Sequence, residues 1–174
     1  MCRLELDHVD SIARISRRRL VAGIAGLSLL ALRAKAAGHV GALALTCIDY
    51  RLVDDAVHFF DGMHLTNEYD QLSLAGASLA AVSEKFPSSN KAFWDHVQIA
   101  KDLHHVKKLI VLDHRDCGAY KVAFGKAFAA QPDAETMQHK SVMLKLHAQM
   151  AKRHPDLAAE FYLMALDGSA QRVL

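Results

Sequence analysis

Cysteine is scarce in this chain, with only Cys2, Cys47 and Cys117 among 174 residues, and so few cannot staple a disulfide scaffold. A run of about 20 apolar residues, the length a membrane-spanning helix needs, is also missing. The apolar stretch from Leu20 to Leu32 is shorter and is broken by Gly23, Gly26 and Ser28. No HExxH, GxSxG or phosphate-loop motif occurs, and there is no repeat, low-complexity tract or linker. Nor is there a strong charge of one sign. The formal net charge is +2, and the first 36 residues carry seven Lys or Arg against three Asp or Glu; subtracting these from totals of 21 and 19 leaves 14 basic and 16 acidic residues, or −2. That balance offers no basic face for nucleic acid. What remains is a chain with 52% hydrophobic residues, enough for one domain with a substantial core.

Residues 14–37 run from a basic start through an apolar centre to small residues, the organisation of a signal peptide. Ser16-Arg17-Arg18-Arg19-Leu20-Val21 resembles a twin-arginine signal. Ala34-Lys35-Ala36 has the spacing for cleavage after Ala36. The expectation is therefore a signal segment over 1–36 and a mature domain over 37–174, exported to the periplasm with no stable membrane insertion after cleavage. An uncleaved amphipathic N-terminus or anchor is the plainer alternative.

The mature chain reads as alternating strands and helices. Gly41 to Thr46 is a short apolar run bounded by glycine, a buried strand that delivers Cys47, Asp49, Tyr50 and Arg51 to its C-terminal edge. Leu52, Ala56 and Phe59 share one side of a short helix stopped by Gly62. Residues 71–78 suggest a second strand beside the first, running into a loop at Gly76. Ser88, Ser89 and Asn90 are cap candidates for a helix with Phe93, Val97, Ala100 and His104 at helical spacing. The pair His104-His105 reads as its solvated end. Leu109 to Leu112 is the next strand and ends in His114, Arg115, Asp116 and Cys117. Strand, crossover helix and strand make a parallel arrangement. Ala119 to Ala130 reads as helical. After Pro132 a longer helix is expected, with Met137, Val142, Leu144, Leu146 and Met150 on its apolar side, closed by Pro155. A late strand, an Asp167-Gly168 turn and a return strand finish the chain. The predicted class is α/β, a mainly parallel sheet flanked by helices, with sites at the strand C-termini.

Two thiolates and an imidazole, Cys47, His114 and Cys117, form a donor set suited to zinc. The His-x-x-Cys spacing lets one loop supply two ligands, with Gly118 as a tight exit. Three protein ligands leave a fourth position, where a water has its pKa lowered to about 7. The plain readings are a Cys47–Cys117 disulfide, which an oxidising compartment permits, and an ordinary surface ion pair of Asp49 with Arg51.

Cys-x-Asp-x-Arg at 47–51 with His-x-x-Cys-Gly at 114–118 resembles the zinc signature of the β-class carbonic anhydrases, and the order of elements along the mature chain is similar too. The resemblance implies that Cys47, His114 and Cys117 hold Zn2+. It implies that Asp49 pairs with Arg51 in an open site and takes the fourth zinc position in a closed one, which makes these two the catalytic pair. It further implies reversible hydration of carbon dioxide to bicarbonate, on the family's mainly parallel sheet with a late edge strand, in a homodimer or a multiple of dimers. Carbonyl sulfide or carbon disulfide hydrolysis, and a non-catalytic zinc protein, are the alternatives. The chain departs from the family at Tyr50, where members often carry a small residue. It departs also at Leu74-Ala75-Gly76-Ala77, where many have asparagine before Ala-Gly, and in its short length. Tyr50, Gly76 and Gly118 are accordingly expected at the substrate pocket.

Overall fold

The computed structural model describes residues 38–125 and 131–174; the expected signal segment, its cleavage site and the last residues of the helix expected over 119–130 lie outside them. Among the described residues, five strands, β1 (Ala42–Thr46), β2 (Tyr69–Ser73), β3 (Lys108–His114), β4 (Ala158–Met164) and β5 (Ala170–Arg172), form one sheet in the order β2-β1-β3-β4-β5. The first four are mutually parallel, and β5 returns antiparallel to β4 as the edge strand. Gly168, at φ 82°, makes the turn between them, a conformation glycine adopts without steric cost.

The helices are α1 (Val53–Gly62), entered through a 3-10 turn at Tyr50–Leu52, α2 (Ser78–Val82), α3 (Pro87–His104), α4 (Gly118–Phe124) and α5 (Pro132–Arg153). Alternation along the strands sends side chains to two opposite cores. Leu43, Leu45, Leu109 and Val111 pack with Phe93 and Val97 of α3 and with Met143, Leu146 and Met150 of α5. On the other face, Ala42, Ala44, Ile110, Leu112 and Met164 meet Leu52 of the 3-10 turn and Ala56 and Phe60 of α1. The alanines of β1 leave room there for the Phe60 ring. Among the described residues, no helix is long and apolar enough to cross a membrane.

Several expected elements are corrected. β2 begins at Tyr69, two residues early, and β3 runs on through Asp113 and His114. Pro87 itself occupies the first turn of α3, and no side chain caps that helix; Asn90 instead donates to the Ala81 carbonyl. His104 is not merely solvated: its Nδ1 lies 2.8 Å from the Asp70 carboxylate and ties the end of α3 to β2. α4 stops at Phe124, followed by Gly125 at φ 87°. The buried stripe of α5 is Glu135, His139, Val142, Met143, Leu146 and Met150, whereas Met137 and Leu144 are 65% and 48% exposed.

Candidate metal centre

The sheet order makes the site. β1 and β3 are neighbours at the centre, with Thr46 opposite Leu112, so the residues just past β1 lie beside the last residues of β3. Cys47, His114 and Cys117 bring their donor atoms within 4.8 Å of one another. The two sulfurs are 3.9 Å apart and both cysteines are free, so the disulfide alternative, which needs about 2.05 Å, is not formed. His114 Nδ1 donates to the Arg115 carbonyl at 2.8 Å. That fixes the tautomer and turns the Nε2 lone pair to the thiols. His114 Nε2 is buried and has no hydrogen-bond partner. Burying such an atom costs free energy unless something binds it, and a metal ion held with the two sulfurs would supply that partner.

Electrostatics in the cluster favour an ionised sulfur. Cys47 is pulled down to about 4, chiefly by the hydrogen bond from the Cys117 thiol; burial opposes this, while His114 and the Gly76 N–H support it. Gly76 N donates to Cys47 Sγ at 3.3 Å. Cys117 is pushed up by that neighbouring thiolate and by its burial. For His114, burial works against the charged form, but the adjacent Cys47 sulfur and the Arg115 carbonyl outweigh it and raise its pKa. The metal-free site thus holds one thiolate, one thiol and an imidazole inclined to protonate.

Asp49 and Arg51 sit at the rim. Asp49 caps the 3-10 turn by accepting from Arg51 N at 3.1 Å. The Arg51 guanidinium grips the same carboxylate with Nε at 2.9 Å and a terminal nitrogen at 2.8 Å. This bidentate pair holds Asp49 down at about 2, the Arg51 side-chain bonds being the largest cause. A second carboxylate shares the guanidinium: Asp116 accepts from Arg51 at 3.0 Å and is paired with Lys121 on its other oxygen. Asp49 Oδ2 stands 3.8 Å from His114 Nε2. Both carboxylate oxygens face Arg51, the open arrangement.

A small cavity opens between the donors and α1, lined by Thr46, Cys47, Asp49 and His114 on one side and Leu52, Ala56, Leu112 and Met164 on the other. About 20 Å³ of it is open to the centre of a water molecule, enough for a water or a similarly small guest. Tyr50 is 85% exposed and takes no part in this wall. Gly76 contributes through its backbone: at φ +84° a Cβ would stand 3.0 Å from that of Ala119. Gly118 begins α4, and a Cβ there would meet nothing within 4 Å, so no tight exit demands glycine.

Sequence reading missed the polar supports. Glu135, 4% exposed, accepts the Asp116 N–H at 2.5 Å and an Arg115 nitrogen at 3.2 Å, which braces the loop between His114 and Cys117. Asp113, 1% exposed, is hydrogen-bonded behind His114. Its signal was present: an aspartate inside an apolar strand needs partners to be buried at all.

A family model described as "Putative carbonic anhydrase" matches residues 38–149. Uncharacterized proteins of Rickettsia bellii and Rickettsia conorii are 34% and 32% identical over 139 residues, which is 80% of this chain and 85% and 75% of theirs. Among solved structures, a carbonic anhydrase of Streptococcus mutans superposes with TM-score 0.54 at 16% identity, covering 90% of this chain and 96% of that one. The carbonic anhydrase of Glaciozyma antarctica gives 0.50 at 17%, over 88% and 95%. These distant likenesses concern the fold.

Proposed function

The chain belongs to the carbonic anhydrase family, as a divergent member with the β-class fold, and from that premise we propose that it reversibly hydrates carbon dioxide at a zinc ion held by Cys47, His114 and Cys117. The observation that carries this reading is the Cys-His-Cys cluster opening onto a water-sized, half-apolar cavity beside an ionised aspartate. The donor set suits zinc, and two thiolates balance its charge. Zinc supplies a Lewis acid that lowers the pKa of a coordinated water to about 7.

The chain's own residues do the rest. His114 is oriented by its bond to the Arg115 carbonyl, and the Gly76 N–H steadies the Cys47 sulfur. Asp49 stays ionised and accepts a hydrogen bond from the attacking water, whose direction it thereby sets. Arg51 holds Asp49 in that position. Leu52, Ala56, Leu112 and Met164 offer an apolar wall to a small uncharged substrate and little to hold an anionic product. Metal analysis with stopped-flow carbon dioxide hydration tests the reading: one zinc per chain and pH-dependent hydration are expected. Cys47→Ser should lose zinc, and Asp49→Ala should keep it and lose most activity. Protein without zinc, or zinc-loaded protein inert across the alkaline range, refutes the assignment.

Export by the twin-arginine route to the periplasm is proposed from the form of residues 14–37. A precursor that keeps residues 1–36 on secretion would contradict it. The assembly proposed is a homodimer or a multiple of dimers. Ile48, Tyr50 and Val53, exposed by 62%, 85% and 53% near the cavity mouth, are surface that such an assembly would cover. Sedimentation of a monomer would exclude it.

A further inference from the structure

Asp113 stands on β3 next to His114, on the opposite face of the sheet, and its carboxylate is sealed from solvent. Oδ1 accepts the Ser78 N–H at 2.9 Å. Oδ2 lies 2.6 Å from Ser78 Oγ, 2.8 Å from the Tyr120 hydroxyl and 2.8 Å from His139 Nδ1. The two hydroxyls are 2.9 Å from each other; each carries one proton, so at most two of the three contacts in that triangle are hydrogen bonds at once. Ser78, Tyr120 and His139 are each fully buried. They come from α2, α4 and α5, so one carboxylate fastens three helices to the end of one strand.

Two of those helices carry metal-site groups at their starts. Ser78 follows Gly76 and Ala77, both at positive φ, 84° and 42°, a backbone that an alanine resists and that the Ser78–Asp113 bonds help hold in place. The Gly76 N–H is the group that meets the Cys47 sulfur. Tyr120 lies in the first turn of α4, immediately after Cys117. Leu79, Cys117, Tyr120 and Val142 pack into one small core against which Cys47 rests. We infer that Asp113 is a positioning residue for the metal centre: through Ser78 it sets the Gly76 N–H on Cys47, and through Tyr120 it sets Cys117. The inference rests on the metal site proposed above.

The test compares Asp113→Asn and Ser78→Ala with Met150→Ala, a core truncation at the far end of α5 that touches none of these groups. Zinc affinity is measured by chelator competition, and the cobalt-substituted protein's thiolate-to-metal absorption reports both sulfurs. Outer-shell partners of this kind typically matter by about 10–100-fold in metal affinity. The two hub variants should weaken zinc about tenfold or more and alter the cobalt spectrum, while Met150→Ala lowers thermal stability and leaves both unchanged. Hub variants that bind as tightly as the parent, or weaken no more than Met150→Ala, overturn the inference. Should Asp113→Asn fail to fold, Tyr120→Phe, which keeps the ring and removes one hydroxyl, is read against the same control, and unchanged affinity in it and in Ser78→Ala is equally fatal. A parent that binds no zinc refutes the proposed function and this inference together; a zinc-binding parent with unaffected variants refutes this inference alone.

Discussion

Gly76→Ala tests whether the loop after β2 is fixed by its backbone. Residue 76 has φ +84°, where an L side chain is strained, at about 1–2 kcal/mol. The new methyl would stand 3.0 Å from Ala119 Cβ and 3.3 Å from Leu79 Cβ. Neither neighbour can swing aside, because each is a Cβ fixed to a helix backbone, so α4 or α2 must shift, and overpacking of this sort costs about 1–3 kcal/mol. The lost unfolded-state freedom of glycine returns only about 0.4–1 kcal/mol. The net loss is about 1–5 kcal/mol on these values, read by urea denaturation of metal-free protein. Ala119 is two residues past Cys117 and the Gly76 N–H serves Cys47, so zinc affinity should fall as well. Gly118→Ala is the internal control, since its methyl enters open space; stability should hold or rise by a few tenths to about 1 kcal/mol through helix propensity. A Gly76→Ala protein within about 0.5 kcal/mol of the parent, the range of an inconsequential surface change, would refute this account.

Asp116→Asn should keep zinc and lower hydration activity about 3–10-fold, because a half-exposed charged partner of Arg51 is lost while the Asp49 pair remains; metal analysis and stopped-flow rates on one preparation check both halves. In metal-free protein, Cys47, lowered to about 4, is a thiolate at every pH above that value. Its alkylation by iodoacetamide should therefore be flat from about pH 6 to 8, where an ordinary thiol near pKa 8.5 gains roughly tenfold per pH unit; a rising profile would contradict the pairing with Cys117 and His114. Tyr50→Ala should leave unfolding free energy within about 0.5 kcal/mol of the parent, since the ring is 85% exposed in the single chain. A larger loss at raised protein concentration would place Tyr50 in an assembly interface.

The central strands were legible because they are short, apolar and bounded by glycine or charge, and parallel pairing then had to bring Cys47 and His114 together. The polar ends were not. Strand β3 continues through Asp113 and His114 because both are buried, which hydrophobicity alone cannot announce. The same cause misplaced the face of α5. Glu135 and His139 occupy its inner stripe, satisfied by the Asp116 N–H with Arg115 and by Asp113, so Met137 and Leu144 are turned outward. A helical pattern read by apolarity assumes polar residues face water, and here two pairings reverse that. Tyr50 is the opposite case: an aromatic residue beside a site suggests a pocket wall, and in the single chain the ring on the 3-10 turn is 85% exposed and outside the cavity lining.

Protonation gives the site a direction of loading. The Asp49, Arg51, Asp116 and Lys121 chain is charge-balanced, and its carboxylates are held low. Asp49, lowered to about 2 by Arg51, contributes stability that is present above its unfolded value and is lost only as pH falls through about 2, so that rim does not titrate near neutrality. The donors behind it carry the protons that a metal ion must displace. Cys117 is raised by the adjacent Cys47 thiolate and His114 is raised by the same sulfur, so both hold protons to higher pH than usual. A metal ion needs them deprotonated. Filling the site therefore expels the Cys117 proton and, wherever His114 is charged, a second one, while Cys47 enters already ionised. Apparent affinity consequently steepens with pH through two groups rather than three, because the single thiolate that Cys117, His114 and the Gly76 N–H stabilise has given up its proton before the metal arrives.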